Sequence, residues 1–278
     1  MPLPLYHVDA FTSVPFRGNP AAVVILDEAH ASRARDAAWM QSVAADMNLS
    51  ETAFAMPTSA GRWALRWFTP THEVPLCGHA TLATGAVLHA RGEAGGGATF
   101  DTASGPLHVA LATGNSGRFA MSLPAYGTSA VDSEASELVE LLGCAPIDVR
   151  ISDSKARKLM VVVATEHEVL TVAPRAASLL AAANPHDVKG VIVTARSDAP
   201  DVDFVSRFFA PWLGVDEDPV TGSAHAVLGP YWAQRLERTK LRAVQRSKRR
   251  GELDVSCEGD RVILGGACAI VARGELLA

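Results

Sequence analysis

An eight-residue pattern that occurs twice carries most of the side chains that could do chemistry. The first copy spans residues 73–80 and the second 217–224, and Glu, Pro, Gly and the final Ala coincide. In each copy a strand pattern ends, a loop follows, and a glycine, Gly78 or Gly222, opens a helix pattern. The first amides of a helix lack intrahelical partners and carry partial positive charge, so each start can hold a carboxylate. We expect an active site between the two helix starts.

The residue after each of these glycines differs between the copies. It is His79 in the first copy and Ser223 in the second. A plainer interpretation, in which both glycines only make turns and the repeat is a remnant of duplication, is also open. Divergence of the neighbouring polar residues favours separate functional tasks for the two starts.

Three titratable side chains in or near these segments could move protons. His79 has an ordinary pKa that suits proton transfer near neutral pH. Asp218 lies in the loop of the second copy, and Glu51 heads an apolar strand pattern. A partly buried carboxylate at such a strand end could serve as a base. The pattern alone leaves simpler roles open, namely cap or loop positions for His79 and Asp218 and a surface position for Glu51.

Metal and other nucleophile chemistries find little support in the sequence. His72, Cys77 and His79 are close in sequence, but their spacing matches no familiar metal-ligand motif. The chain contains neither a phosphate-binding glycine-rich motif after a strand nor the nucleophile elbow of a serine hydrolase. We therefore expect no metal site and no phosphate-bearing cofactor.

Hydrophobic patterns indicate the elements that must position these residues. The helix patterns at 78 to about 91 and 222 to about 236 are apolar almost all round, so each must be buried on every side. Many strand patterns accompany each helix. This favours the α+β class, with two similar domains that each wrap a barrel-like, mostly antiparallel or mixed sheet around a central helix. A further helix is expected at 27–46, and separate strands at 260–264 and 267–273.

The repeat divides the chain near its middle. Residues 1–124 are predicted to form the first domain and residues 125–278 the second, with the boundary in the Pro-, Gly- and Ser-containing segment 124–133. A tail from about residue 270 to 278 is expected to return to the first domain. A hydrophobic content of 48% is enough for two cores.

Composition excludes several classes of function. A formal net charge of −5 lacks the excess of basic residues that is typical of nucleic-acid-binding proteins. No apolar run reaches the roughly 18 residues of a membrane span, and the first residues lack the pattern of a signal peptide. The four cysteines are far apart, which suits reduced thiols in the cytoplasm better than disulfides.

Five stretches together resemble a known family. They are residues 9–12, 16–24, 48–54, 66–81 and 218–225. In this order they are similar to the phenazine-biosynthesis isomerase family (PhzF-like), a branch of the diaminopimelate-epimerase fold. The resemblance covers nearly the whole chain. It implies two similar domains with a cleft between them, a homodimer, and neither metal nor organic cofactor.

The resemblance also implies roles for individual residues. Glu51 matches the family's acid/base glutamate, while His79 and Asp218 match its other catalytic positions. The remaining implied contacts to a small carboxylate substrate are Asn19, Ser50, Cys77, Gly78, Thr221, Gly222 and Ser223. The implied reaction is a cofactor-independent isomerisation that moves a proton on a small cyclic or unsaturated carboxylate, such as a dihydro-hydroxyanthranilate.

Two positions depart from related patterns. Epimerases of this fold pair two cysteines, whereas here Cys77 is matched by Thr221, whose hydroxyl is too weak an acid to form the second base. Arg250 stands where the family leads one to expect glycine. An amino-acid epimerase or racemase that uses Cys77, and a catalytically silent protein that binds small carboxylates, remain alternative functions.

Overall fold

Two compact units make up the computed structural model, which describes residues 2–112, 117–131, 136–155 and 157–277. The first unit is Met1–Ser122 together with Leu264–Ala278, and the second is Leu123–Ile263. The chain enters the second unit beside the predicted boundary segment, of which residues 132 and 133 lie outside the described residues. It returns to the first unit at Leu264, earlier than the predicted tail.

The elements alternate between strands and a few helices. The strands are β1 (Leu3–Ala10), β2 (Asn19–Ile25), β3 (Glu51–Ser59), β4 (Arg62–Phe68), β5 (Glu73–Val74), β6 (Gly97–Thr102), β7 (Gly105–Leu111), β8 (Arg118–Pro124), β9 (Thr128–Ala130), β10 (Pro146–Ser152), β11 (Lys158–Val163), β12 (Gly190–Arg196), β13 (Phe204–Phe209), β14 (Lys240–Gln245), β15 (Gly251–Glu258) and β16 (Arg261–Leu276). The α-helices are α1 (Ala37–Met47), α2 (Gly78–Ala90), α3 (Ser136–Glu140), α4 (Glu166–Thr171), α5 (Ala176–Ala181) and α6 (Gly222–Leu236). Within the described parts of the chain, no helix is both long and apolar enough to cross a membrane.

In the first unit, eight strands close into a barrel. Their order is β1-β2-β3-β4-β6-β7-β8-β16, and β16 also pairs with β1, which completes the ring. Helix α2 packs against β1, β2, β3, β6 and β7, and its residues from His79 to Leu88 are all buried. A helix that is apolar on every side is stable only when it is surrounded. The barrel therefore encloses α2 and fixes the direction of its first turn.

The second unit repeats this arrangement. Its strands follow the order β15-β14-β13-β12-β11-β10-β9, with parallel pairs at β11–β12 and β13–β14. The first unit has its parallel pairs at the matching places, β2–β3 and β4–β6. Helix α6 packs on β14 and β15, and most of its residues are buried. The predicted α+β class, with two similar domains that each combine a sheet with a central helix, is confirmed.

The helix predicted at 27–46 is wrong in its first half. Residues Glu28–His30 and Arg33–Arg35 form short 3-10 turns, and α1 begins only at Ala37. The side chain of Asp36 accepts a hydrogen bond from the Trp39 amide at 2.9 Å, which caps a new helix at this point. Local aspartate caps thus divide a segment whose hydrophobic pattern predicts one helix.

The two strands predicted at 260–264 and 267–273 are one strand. β16 runs without a break through its glycine pair. A Cβ atom added at Gly266 would lie 2.5 Å from the Phe11 ring, so glycine serves here for close packing and not for a turn. The long strand begins in the second unit and ends in the first.

Candidate active site

Glu51 and His79 lie side by side in the first unit. Glu51 opens β3 because Asn48, in the left-handed conformation with φ 49°, ends α1 shortly before it. His79 is the second residue of α2. Glu51 Oε2 lies 3.1 Å from His79 Nε2, and the two side chains are only 17% and 6% exposed. The groups are not aligned as a hydrogen bond, so electrostatic attraction joins them.

The other nitrogen of the His79 ring meets two further residues. Asn19 Nδ2, at the start of β2, lies 3.1 Å from His79 Nδ1, and Cys77 Sγ lies 3.6 Å from it. A protonated imidazole donates from both nitrogens. Glu51 lies beside one of these nitrogens, and Asn19 and Cys77 lie beside the other. The four side chains therefore form one continuous polar cluster in which a proton can be held and passed on.

The charges of this cluster follow from its burial. Burial and the neighbouring Glu51 carboxylate raise the pKa of the Cys77 thiol to about 11, so Cys77 stays protonated near neutral pH. Burial opposes a charged His79, but its acidic neighbours Cys77 and Glu51 raise the pKa of the imidazole well above 6.5. Of these two neighbours, Glu51 lies nearer to the imidazole, with Oε2 3.1 Å from Nε2, whereas Cys77 Sγ lies 3.6 Å from Nδ1.

The same three side chains have the composition of a metal site. Donor atoms of Glu51, Cys77 and His79 lie within 4.8 Å of one another. Glu51 Oε2 lies nearest to one nitrogen of the imidazole and Cys77 Sγ to the other. His72 is hydrogen-bonded to Thr69 and Thr71 within its own turn. The absence of a metal from this cluster therefore stays a prediction of the sequence.

The second unit places a different polar group at its helix start. The Thr221 hydroxyl donates to Asp218 Oδ2 at 2.5 Å. Gln245, fully buried at the end of β14, accepts from the Thr221 amide at 2.8 Å and donates to the Asp218 carbonyl at 2.6 Å. The side chain of Gln245 thus ties the loop to the sheet. Sequence analysis missed Gln245, whose one signal is an amide side chain at the end of an apolar strand.

The two glycines begin their helices as predicted. α2 starts at Gly78 and α6 at Gly222, and the N-cap residues, Cys77 and Thr221, form no side-chain cap. The first amides of both helices thus lack the usual side-chain partner at the N-cap position. Ser223, beside Gly222, and Ser50, directly before Glu51, are half-buried. Each helix start therefore retains the capacity to bind an anion.

A matching ion pair holds the loop before each helix. In the first unit, Arg66 Nε and Nη2 donate to the two carboxylate oxygens of Glu73 at 2.7 and 2.8 Å. In the second unit, Arg207 makes the same two-point contact with Glu217 at 2.7 and 2.9 Å. Each arginine also lies over a ring two residues further along its strand, Phe68 or Phe209. Two-point arginine–carboxylate contacts fix orientation as well as distance.

Comparison with known proteins gives consistent results across the chain. The family model for phenazine biosynthesis-like proteins (PhzC-PhzF) matches residues 8–274. An uncharacterised isomerase of Pseudomonas aeruginosa is 46% identical over 282 residues, which cover 99% of each chain. The crystal structure of a PhzF-family phenazine biosynthesis protein from Enterococcus faecalis matches with a TM-score of 0.89 at 39% identity and covers 100% of both chains.

A solved structure of much lower sequence identity shares the fold. The structure of a probable proline racemase from Agrobacterium radiobacter has a TM-score of 0.60 at 12% identity and covers 99% of this chain and 92% of that one. At this identity the likeness concerns the fold alone. The chain belongs to the phenazine biosynthesis-like (PhzC-PhzF) family, because the family model matches residues 8–274 and the two full-length relatives above are 46% and 39% identical to it.

Proposed function

We propose that the protein is a cofactor-independent isomerase that moves a proton between two carbons of a small cyclic or unsaturated carboxylate. The observation that supports this most directly is the contact between Glu51 and His79, 3.1 Å apart in a polar cluster at the start of a buried helix. A carboxylate held beside an imidazolium can accept a proton and return it without a metal or an organic group.

The reaction begins when the Glu51 carboxylate takes a proton from a carbon next to the conjugated system of the substrate. The electron pair of the broken C–H bond spreads into the substrate carboxylate, which the uncapped amides at Gly78 stabilise. Protonated Glu51 then returns the proton to a second carbon of the conjugated system. His79 stabilises the Glu51 carboxylate before and after the transfer, and the reaction consumes no co-reactant.

We also propose a role in the reaction for the second helix start. The amides at Gly222 and the hydroxyl of Ser223 offer hydrogen-bond donors. Asp218, held by Thr221, can orient the substrate or donate to it when protonated. Asp218→Asn should therefore lower turnover while the fold is retained, and retention of full turnover would remove Asp218 from the mechanism.

A cysteine-based epimerase is a weaker proposal. A thiol whose pKa is raised to about 11 supplies very little thiolate near neutral pH. The matching residue of the second unit, Thr221, donates its hydroxyl hydrogen to Asp218 and offers no second thiol. Cys77→Ala is accordingly expected to keep most of the isomerase activity.

The decisive experiment measures hydrogen exchange and positional isomerisation in D₂O. The probes are small unsaturated cyclic carboxylates, including a dihydro-hydroxyanthranilate. Glu51→Gln should lower turnover by at least about 10²-fold, the lower end of the range for positioned acid/base catalysis. Glu275→Gln, which makes the same change at an exposed position of β16, serves as the control and should behave like the wild type. Full turnover by Glu51→Gln would overturn the proposal.

A further inference from the structure

The second unit contains a small polar cavity. Its volume is about 70 Å³. One ordered water needs about 10–15 Å³ of such space, so the cavity has room for a group of several atoms, such as a carboxylate or a phosphate. The charged residues that line it are Arg242, Arg246, Arg250, Asp201 and Glu252. Three guanidinium groups around one small cavity are typical of oxyanion recognition.

One of the three arginines is already engaged. Arg246 Nε donates to Glu166 Oε1 at 2.7 Å, and Glu166 is buried. The second oxygen of Glu166 accepts from the Ser197 hydroxyl and the Asp198 amide, both at 2.9 Å. This network satisfies Arg246 within the protein. Any ligand in the cavity would therefore depend on the other two arginines.

Among the residues that the structure describes, the carboxylate neighbours of Arg242 and Arg250 are loose. Arg242 lies 3.9 Å from both Asp201 and Glu252, and Arg250 lies 3.4 Å from Glu252. The two carboxylates are 70% and 48% exposed, so water competes for them and the pairs are weak. An anion inside the cavity can compete with such partners for the guanidinium groups.

Arg250 itself combines two unfavourable features. Its backbone is in the left-handed region, with φ 55°, which disfavours any residue that carries a Cβ atom. Its Nε atom is buried and, among the described residues, has no hydrogen-bond partner. The turn is nevertheless held firmly, because the Ser247 hydroxyl accepts from the Arg250 amide and donates to the Pro219 carbonyl. Strain and an unsatisfied donor at one residue point to a function for that side chain.

We propose that this cavity is a binding site for a small oxyanion held by Arg250 and Arg242. The recognised chemistry is a carboxylate or phosphate group, which offers two acceptor oxygens to a planar guanidinium. Binding would satisfy the buried donor of Arg250 and replace its loose contact with Glu252. The site does not depend on the reaction proposed for Glu51.

The test uses thermal unfolding of the full chain at constant ionic strength. Sodium chloride is replaced stepwise by inorganic phosphate in one series and by acetate in a second series. For the wild type, the unfolding midpoint should rise with at least one of the two anions, and the series that responds identifies the preferred group. An anion at ten times its Kd lowers the unfolding equilibrium constant about 11-fold.

Arg250→Gly should change both the unfolding midpoint in chloride and the response to the anion. In chloride it should unfold at a higher temperature than the wild type, because glycine adopts the left-handed conformation without strain. It should also lose the response to the anion. Glu237→Gly is the matched control, since Glu237 is left-handed as well, with φ 54°, but does not line the cavity. That variant should gain stability and keep the response.

Two results would overturn the proposal. One is a wild-type midpoint that responds to neither phosphate nor acetate beyond chloride. The other is an Arg250→Gly variant whose response equals that of the wild type, which would assign the binding to another place, including the proposed carboxylate site at Gly78.

Discussion

The starts of α2 and α6 share the contacts that position them and differ in the polar side chains beside them. Each helix follows a strand whose arginine forms an ion pair with a glutamate of the next loop. The pairs are Arg66 with Glu73 and Arg207 with Glu217. Each begins at a glycine without a side-chain cap. Yet the first start has an imidazole beside a carboxylate, and the second has a hydroxyl beside a carboxylate and an amide. The two units therefore share the parts that position a helix start and differ in the polar side chains beside it.

Strand register shows why only one unit has a carboxylate at the strand start. The pairs at matching points are Thr52 with Phe68 and Val191 with Phe209. The preceding residues, Glu51 and Gly190, therefore occupy equivalent positions. A Cβ atom added at Gly190 would lie 2.3 Å from the Phe208 ring. In the second unit, the ring of Phe208 leaves no room for a side chain at the position that Glu51 occupies in the first.

The largest effect that separates the two starts concerns their fourth helical residues, Thr81 and His225. Each side chain donates to the carbonyl of its N-cap residue, at 2.6 Å and 2.8 Å. Only His225 titrates, and burial lowers its pKa to about 4, against a weaker opposing effect of the Thr221 carbonyl. The unfolded chain binds a proton at His225 below about pH 6.5, whereas the folded chain does not until about pH 4. Stability is therefore lost as the pH falls through this window.

We predict that His225 contributes about 3 kcal/mol to the loss of unfolding free energy between pH 6.5 and 4, from 1.36 kcal/mol per pKa unit over about 2.5 units. His225→Thr copies the first unit and should flatten the pH dependence by about this amount. The measurement is urea unfolding across this range. Because the smaller side chain also lowers stability at every pH, the slope and not the absolute value is diagnostic. An unchanged slope would contradict the assignment of the low pKa to His225.

The next effect in size tests the equivalence of Glu51 and Gly190. Gly190→Ala should destabilise the protein by about 1–3 kcal/mol, the usual cost of overpacking, because the new methyl group meets the Phe208 ring. Glu51→Ala, at the equivalent but partly open position, should cost less stability while it removes the proposed base. Both are measured as shifts of the urea midpoint. The double variant Gly190→Ala with Phe208→Leu should recover part of the loss, and no recovery would show that the ring is not the obstacle.

The sequence could predict where the two helices begin and end, because the signals for these positions are local. The repeated glycines and the apolar runs after them place α2 and α6 within a residue or two of their observed bounds. Aspartate caps are local as well, but Asp36 was overlooked because the hydrophobic pattern continues across it. The sequence predicts two separate strands on either side of the glycine pair in β16, because close packing against Phe11 leaves no trace in the neighbouring residues.

The contacts of the site could not be derived in the same way. Asn19 reaches His79 across 60 positions and Gln245 reaches Thr221 across 24. These contacts depend on which strands pair and in what register, such as the parallel pairing of β2 with β3 that brings Asn19 and Glu51 to the same barrel end. Glu51 was singled out mainly by family resemblance, and its catalytic role stays a prediction.

The last prediction concerns the difference in strength between the two ion pairs, which is smaller than the effects above. Arg207 and Glu217 are 14% and 23% exposed, whereas Arg66 and Glu73 are 31% and 40% exposed. Arg207 also donates to the Val172 carbonyl at 2.5 Å. Glu217→Gln should therefore destabilise the protein by about 1.5–3 kcal/mol, the range for a hydrogen bond to a charged group. Glu73→Gln should cost about 1 kcal/mol or less, since solvent screens the pair.

Salt separates this explanation from a difference in loop packing. Raising ionic strength should reduce the small effect of Glu73→Gln more than the larger effect of Glu217→Gln, because exposed charges are screened more strongly than partly buried ones. The urea midpoints of both variants and the wild type at low and high sodium chloride provide this comparison. Equal costs for the two variants at every salt concentration would mean that burial does not distinguish the two ion pairs. The asymmetry between the helix starts would then lie in their reactive side chains alone.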